Sequence, residues 1–79
     1  MWSEGTVSIR ETGNIYKYWV KHYGEGSEVY GIDGGKVSKL TIRKVGETRD
    51  LYNYDRGLDA DCANDEVRAV YNTILAKYN

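Results

Sequence analysis

Short runs of alternating apolar and polar residues, separated by glycine-bearing breaks, fill most of the chain up to residue 55. The runs span residues 3–10, 15–23, 36–44 and 49–55, and they are rich in Val, Ile, Thr, Tyr and Trp. Alternation with a period of two and one apolar face is typical of strands in a sheet that is covered on one side. Because the connections are short, the pattern favours an antiparallel meander of four strands.

The last part of the chain changes to helical spacing. Its apolar positions form one stripe: Val67, Val70, Tyr71, Ile74, Leu75 and Tyr78. Asp61 or Asn64 is expected to cap the start of the helix, where acidic residues suit the helix dipole. The sequence therefore predicts one α+β domain over residues 1–79, with a four-stranded antiparallel sheet and one C-terminal helix packed on one face.

The alternation also assigns a buried and an open face to the predicted sheet. Tyr16, Tyr18 and Val20 share one face of the second run, and we expect them to be buried together with Leu40 and Ile42 of the third. One helix covers only one face of a sheet, so the opposite face is predicted to be open. That face carries Lys17, Trp19, Lys21, Lys39, Thr41 and Arg43.

Composition limits the environment in which the protein works. Eleven basic and twelve acidic residues give a net charge of −1, so no whole-molecule field attracts nucleic acid or an acidic membrane. Cys62 is the single cysteine, which excludes an internal disulfide and favours a reducing compartment. Residues 1–10 do not resemble a signal peptide, and no stretch approaches the ~20 apolar residues of a membrane span. These features predict a cytoplasmic protein without a membrane partner.

The motifs that most resemble catalytic or ligand sites are incomplete. The glycine-rich segment 31–36 leads into a strand and lacks the Gly-Lys-Ser/Thr ending of a phosphate loop, so we interpret it as a turn with positive φ. Cys62 lies near the predicted helix start, but the only histidine, His22, is far away in sequence, which is poor evidence for a catalytic dyad or a zinc site.

Closely spaced carboxylates follow the fourth run: Asp55, Asp59, Asp61, Asp65 and Glu66. They lack the register of a calcium loop, and we expect a polar loop that leads into the helix N-terminus. Together these observations predict no enzymatic activity, no catalytic residues, no metal site and no cofactor.

The open face is the strongest candidate for function. It interleaves Trp19 with four cations, namely Lys17, Lys21, Lys39 and Arg43. Such a face can anchor a protein partner, or it can stack bases and hold phosphates. The alternative is a solvated face whose lysines limit aggregation.

Several segments carry a resemblance to a family. Residues 28–40 (Glu-Val-Tyr-Gly-Ile-Asp-Gly-Gly-Lys-Val-Ser-Lys-Leu) and 52–57 (Tyr-Asn-Tyr-Asp-Arg-Gly), with the opening Met1-Trp2 and the closing Lys77-Tyr78-Asn79, resemble very small uncharacterised proteins of Firmicutes bacteria and their phages. The family has no established activity. The resemblance implies a cytoplasmic protein from a phage or prophage, and by analogy a stoichiometric binder of a host protein, such as an anti-CRISPR inhibitor.

The sequence thus leads to three hypotheses. The first is a non-enzymatic protein that occupies a surface of a host protein or complex. The second is a module that binds single-stranded nucleic acid through the same open face. The third is a structural or oligomerising phage component. Lys17, Trp19, Lys21, Lys39 and Arg43 are the predicted binding residues for the first two.

Overall fold

The computed structural model describes all residues, 1–79, and contains one antiparallel sheet and one α-helix. Its elements are β1 (Trp2–Ser8), β2 (Ile15–His22), β3 (Val37–Lys44), β4 (Tyr52–Asp55), β5 (Leu58–Ala60) and α1 (Asp65–Tyr78). The strands lie in chain order across the sheet, and every neighbouring pair is antiparallel. The predicted α+β meander with a C-terminal helix is confirmed, but the sheet has five strands, not four.

The additional strand, β5, lies in the segment that we expected to be a polar loop. It has only three residues, none of them fully buried, so it shows no apolar alternation. A tight turn forms it: Arg56 adopts a φ of 56°, and the Asp55 amide donates to the Gly57 carbonyl at 2.9 Å. Main-chain pairing with β4 therefore holds β5, and side-chain patterns do not reveal that kind of stabilisation.

The core lies between α1 and one face of the sheet. Tyr16, Tyr18 and Val20 of β2 are buried, as are Leu40 and Ile42 of β3. Helix α1 contributes Val67, Val70, Tyr71 and Ile74 to the same apolar cluster. The predicted inward faces of the second and third strands are therefore confirmed. Burying aliphatic and aromatic side chains stabilises a fold by about 1.5–3 kcal/mol each.

Helix α1 begins as its sequence predicts. Asn64 is the N-cap, and its side-chain oxygen accepts from the Val67 amide at 2.9 Å. The alternative cap, Asp61, instead accepts from the Cys62 amide and from Arg68. Acidic Asp65 and Glu66 occupy the first turn, where their negative charges interact favourably with the positive end of the helix dipole. No helix here has the length and apolar character needed to cross a membrane.

The glycine-rich segment before β3 folds back onto the core. It forms a short 3-10 turn, Ile32–Gly34, in which Asp33 and Gly34 have φ values of 51° and 74°. The predicted turn with positive φ is confirmed. Ile32 is buried in the core, and Asn79 fastens the segment by accepting from the Val37 amide at 2.9 Å and donating to the Ile32 carbonyl at 3.2 Å.

Candidate functional site

The sheet face opposite α1 carries no secondary-structure element. We call this surface the open face. Strand alternation and register assign to it Trp2, Glu4 and Thr6 of β1, Ile15, Lys17, Trp19 and Lys21 of β2, Lys39, Thr41 and Arg43 of β3, and Asn53 and Asp55 of β4. In contrast, the core face is closed by the helix and by the turn that contains Ile32.

The structure brings all five predicted binding residues together on the open face. Cross-strand register places Lys17 opposite Arg43 and Lys21 opposite Lys39. Trp19 lies between these two rows, opposite Thr41. Directly opposite side chains on neighbouring strands are about 4.5–5.5 Å apart at Cβ, so the five residues form one contiguous cluster.

Trp19 is half-buried in the middle of this cluster, flanked by two cations. The Lys17 Nζ lies 5.1 Å from the centroid of the indole ring, and the Arg43 Cζ lies 5.4 Å from it. Cations at this distance are attracted by the negative face of the ring, with about 0.5–1 kcal/mol at exposed sites. Both contacts favour this position of the ring on the surface before any partner binds.

Trp2 is a functional candidate that our sequence analysis missed. It is 57% exposed, and the Lys21 and Lys39 Nζ atoms lie 5.8 Å and 5.9 Å from its ring. Together with Trp19, Thr41 and Arg43 it lines a shallow depression of about 300 Å³. The signal was present in the sequence, because Trp2 lies two positions before Glu4 and therefore on the same face; the predicted first strand began one residue too late.

Acidic side chains partly neutralise the open face. The Arg43 Nε lies 2.6 Å from the Asp50 Oδ1, and the Lys39 Nζ lies 3.5 Å from the Asp55 Oδ1. Lys17 and Lys21 make no salt bridge. The surface thus offers two aromatic rings, two uncompensated lysines and two ion pairs, a mixture of both charge signs that the sequence pattern of basic residues did not reveal.

The acidic residues from the end of β4 to the start of α1 do not converge on one point. Asp55 pairs with Lys39, Asp59 accepts from Asn53 at 3.3 Å, and Asp61 accepts from Arg68 at 3.0 Å. Glu66 instead accepts a hydrogen bond from Asn14, which lies in the β1–β2 connection. Four of the five carboxylates therefore have separate structural partners, and Asp65 makes no side-chain hydrogen bond or salt bridge.

Cys62 and His22 lie in different parts of the fold. Cys62 packs against the core, and burial raises the pKa of its thiol above the ordinary 9.0, so the reactive thiolate is disfavoured. His22 lies 3.0 Å from the Ser3 hydroxyl, and its ring is 4.9 Å from that of Tyr78. The two side chains therefore have separate structural partners.

Glu66 connects the start of α1 to the β1–β2 connection. Its Oε1 accepts from the Tyr16 hydroxyl at 2.7 Å, from the Asn14 side-chain Nδ2 at 2.7 Å and from the Thr12 hydroxyl at 3.2 Å. The hydrogen bonds from Asn14 and Tyr16 lower the pKa of Glu66 below its ordinary 4.5. Burial, and then the bond to Glu66, raise the pKa of Tyr16 to about 12.

Replacing Glu66→Gln is expected to destabilise the fold in a pH-dependent way. Since the pKa of Glu66 is lower in the folded than in the unfolded chain, its carboxylate contributes stability above pH 4.5, and this contribution is lost as the pH falls through the lowered pKa. The urea midpoint of the variant should lie below that of the parent at neutral pH, and the two should converge in acid. Asp65→Asn is the control because Asp65 makes no side-chain hydrogen bond. A midpoint difference that stays constant with pH would contradict this role.

The fold and the open face define a small α+β domain with a meander covered on one side and an aromatic and charged surface on the other. A family model described as "Domain of unknown function (DUF7678)" matches residues 1–79, and the chain belongs to this family. The prediction that the chain belongs to a family of unknown function is thereby confirmed. Searches of curated proteins and of solved structures found no match.

Proposed function

We propose that this protein is a non-enzymatic binding protein that acts by occupying a surface of another protein with its open face. Trp19, Lys17, Lys21, Lys39 and Arg43 form the contact surface, to which we now add Trp2. The position of Trp19 carries the proposal: a large aromatic ring, flanked by Lys17 and Arg43, lies on a face that no other element of the fold covers. Tryptophan and arginine at the centre of a patch are the residues that most often dominate protein interfaces.

The charge pattern favours a protein partner over a nucleic acid. Asp50 and Asp55 neutralise Arg43 and Lys39, and Glu4 lies directly opposite Trp19. Carboxylates at these positions repel phosphates, whereas mixed charges around aromatic anchors suit the polar rim of a protein interface. The net charge of −1 supports the same choice.

Our proposal extends to the origin of the partner. The resemblance to small proteins of Firmicutes bacteria and their phages supports a phage or prophage gene, and hence a partner among the proteins of the host cytoplasm. A chain of 79 residues cannot enclose a large substrate, but it can block a surface stoichiometrically. Inhibition of a host defence complex, in the manner of an anti-CRISPR protein, is the form of this function that we propose to examine first.

Binding of single-stranded nucleic acid is the second candidate. Lys17 and Lys21 favour it, because both lie beside an indole ring without an acidic partner. Bases stack on such rings while neighbouring lysines contact phosphates. A strand running along β2 would contact both features.

The two candidates differ in their response to salt. We expect oligo(dT) longer than about 16 nucleotides to leave the tryptophan fluorescence unchanged, because no strand stacks on the rings. We also expect the immobilised protein to retain the same host protein after nuclease treatment, with an affinity that falls less than tenfold between about 50 and 200 mM salt. If the four cations instead bound phosphates, affinity for oligo(dT) would fall about 50-fold over this range. Fluorescence quenching with that salt response would overturn the proposal and establish the second candidate.

A further inference from the structure

The two edges of the sheet are built differently. The β5 edge is short, follows a turn with a positive φ at Arg56, lies next to an irregular register between Asn53 and Tyr54, and carries an acid at Asp59. These are devices by which proteins prevent an edge strand from pairing with another chain. Of these features the β1 edge has only the acid, Glu4. It runs for seven residues without proline, lysine or a break in register.

The backbone groups that β1 presents outward follow from its bonds to β2. At one end, Met1 and His22 exchange two bonds, at 3.1 Å and 2.9 Å, and at the other the Ile9 amide donates to the Asn14 carbonyl at 2.8 Å. In an antiparallel pair, bonded and non-bonded residues alternate. The even-numbered residues Trp2, Glu4, Thr6 and Ser8 therefore direct their N–H and C=O groups away from the sheet, and no segment of the chain pairs with them.

We propose that β1 pairs with β1 of a second copy of this chain, antiparallel and centred on Gly5, so that two sheets form one sheet of twice the width. In this register Trp2 pairs with Ser8 of the second copy, and Glu4 pairs with Thr6 of the second copy. By symmetry each pair occurs twice, and each exchanges two N–H···O bonds. All outward groups of residues 2, 4, 6 and 8 are then satisfied.

Charge and side-chain size select this register over its neighbours. Moving the centre to Glu4 would place two glutamates directly opposite each other, which is destabilising in a sheet. Moving it to Thr6 would leave Trp2 without a pairing residue. Centring on Gly5 avoids both problems and places a residue without a side chain at the axis. A larger residue does not fit at this position, because an added Cβ would lie 2.6 Å from the Tyr18 hydroxyl.

The register also brings together apolar groups that are exposed in one copy. Ser8 lies opposite Ile15 within the sheet, so Trp2 of one copy, Ser8 and Ile15 of the other share one cross-strand row on the open face. Trp2 is 57% exposed and Ile15 is 42% exposed. An indole ring reaches across the small Ser8 side chain towards Ile15, so pairing removes apolar surface of both residues from water. The same contact occurs on the other side of the axis.

The dimer does not require the proposed function, although Trp2 belongs to both surfaces and pairing would join two open faces into one continuous surface. Sedimentation velocity should show a particle of twice the chain mass that dissociates on dilution. Thr6→Pro should be monomeric: it removes an outward N–H, adds a ring at the edge, and breaks no bond to β2. Thr6→Glu should weaken the dimer at least tenfold, because it faces Glu4 of the second copy, yet within its own chain it lies opposite Lys17 and should fold well.

The control is Asn72→Ala, an exposed substitution on α1, which should dimerise like the parent. A parent chain that stays monomeric at about 1 mM overturns the inference. So does a dimer that persists unchanged in folded Thr6→Pro and Thr6→Glu, since its interface would lie elsewhere. If Thr6→Pro does not fold, Thr6→Glu alone decides. Loss of dimerisation with unchanged capture of a host protein separates this inference from the proposed function.

Discussion

Deleting residues 74–79 is expected to leave a chain that no longer unfolds cooperatively. The deletion removes Ile74, which is fully within the core, and the Tyr78 hydroxyl, which lies 3.0 Å from that of Tyr18. It also removes Asn79, which fastens the turn before β3. The lost burial and hydrogen bonds amount to several kcal/mol, comparable with the whole stability of about 4–12 kcal/mol expected for a domain of this size. Thermal melting followed by circular dichroism measures the result.

A matched pair of substitutions tests the same packing without shortening the chain. Ile74→Ala should lower the free energy of unfolding by about 2–5 kcal/mol, because removing the side-chain atoms leaves a cavity inside the closed core. Asn72→Ala lies two residues earlier on the exposed side of α1 and should change it by no more than about 0.5 kcal/mol. Equal melting temperatures for the two variants, or a truncated chain that melts like the parent, would contradict the observed packing of α1 on the sheet.

Trp19→Ala is expected to weaken binding of the host protein by about 2 kcal/mol or more, which is about 30-fold in Kd. The indole is the central anchor of the open face, and truncation also releases Lys17 and Arg43 from their positions beside it. The free energy of unfolding should fall by only about 1 kcal/mol, since the ring lies outside the core and loses mainly its cation–π contacts. Calorimetric titration against the captured protein, together with urea denaturation, measures both effects.

The lysines of the open face that have no acidic partner are the most informative positions for charge-reversal variants. Lys17→Glu and Lys21→Glu should slow association and change its salt dependence, since neither lysine makes a salt bridge. Lys39→Glu and Arg43→Glu also reverse a positive charge of the open face. Lys39→Glu, however, breaks the ion pair with Asp55, and Arg43→Glu breaks the ion pair with Asp50.

The control for the open face is Val29→Ala, which is 73% exposed and lies outside the sheet. It should bind the host protein like the parent. If Trp19→Ala folds and also binds like the parent, the open face is only solvated, and the acidic segment from Asp55 to Glu66 becomes the next candidate. A Trp19→Ala variant that unfolds would instead show that the ring supports the fold.

Much of the fold could be predicted because local patterns and tertiary structure agree. Tyr16, Tyr18 and Val20 alternate with polar residues, and a side-chain period of two leaves only one way to bury all three. The same holds for the helical stripe that includes Val67, Val70 and Ile74. Short-range chemistry limited the cap to Asp61 or Asn64, because a capping bond spans only about three residues, and the structure shows that it is Asn64.

Other features required contacts that only the tertiary structure creates. Ile32 is buried in the core, and its carbonyl accepts from the Asn79 side chain, which lies 47 residues away in sequence. Asp50 reaches Arg43 only because of the turn between β3 and β4. Neither position shows a periodic pattern that would mark it in advance.

By itself, the sequence determined the α+β class, the inward faces of β2 and β3, and the gathering of Lys17, Trp19, Lys21, Lys39 and Arg43 on one open face. These depend on periodicity and on short connections, which act locally along the chain. Only the tertiary structure decided that β5 exists, that acids neutralise two of the four cations, and that β1 is an open edge. Those properties arise from strand register and main-chain pairing, and the hydrogen-bonding groups of the backbone are the same in every sequence.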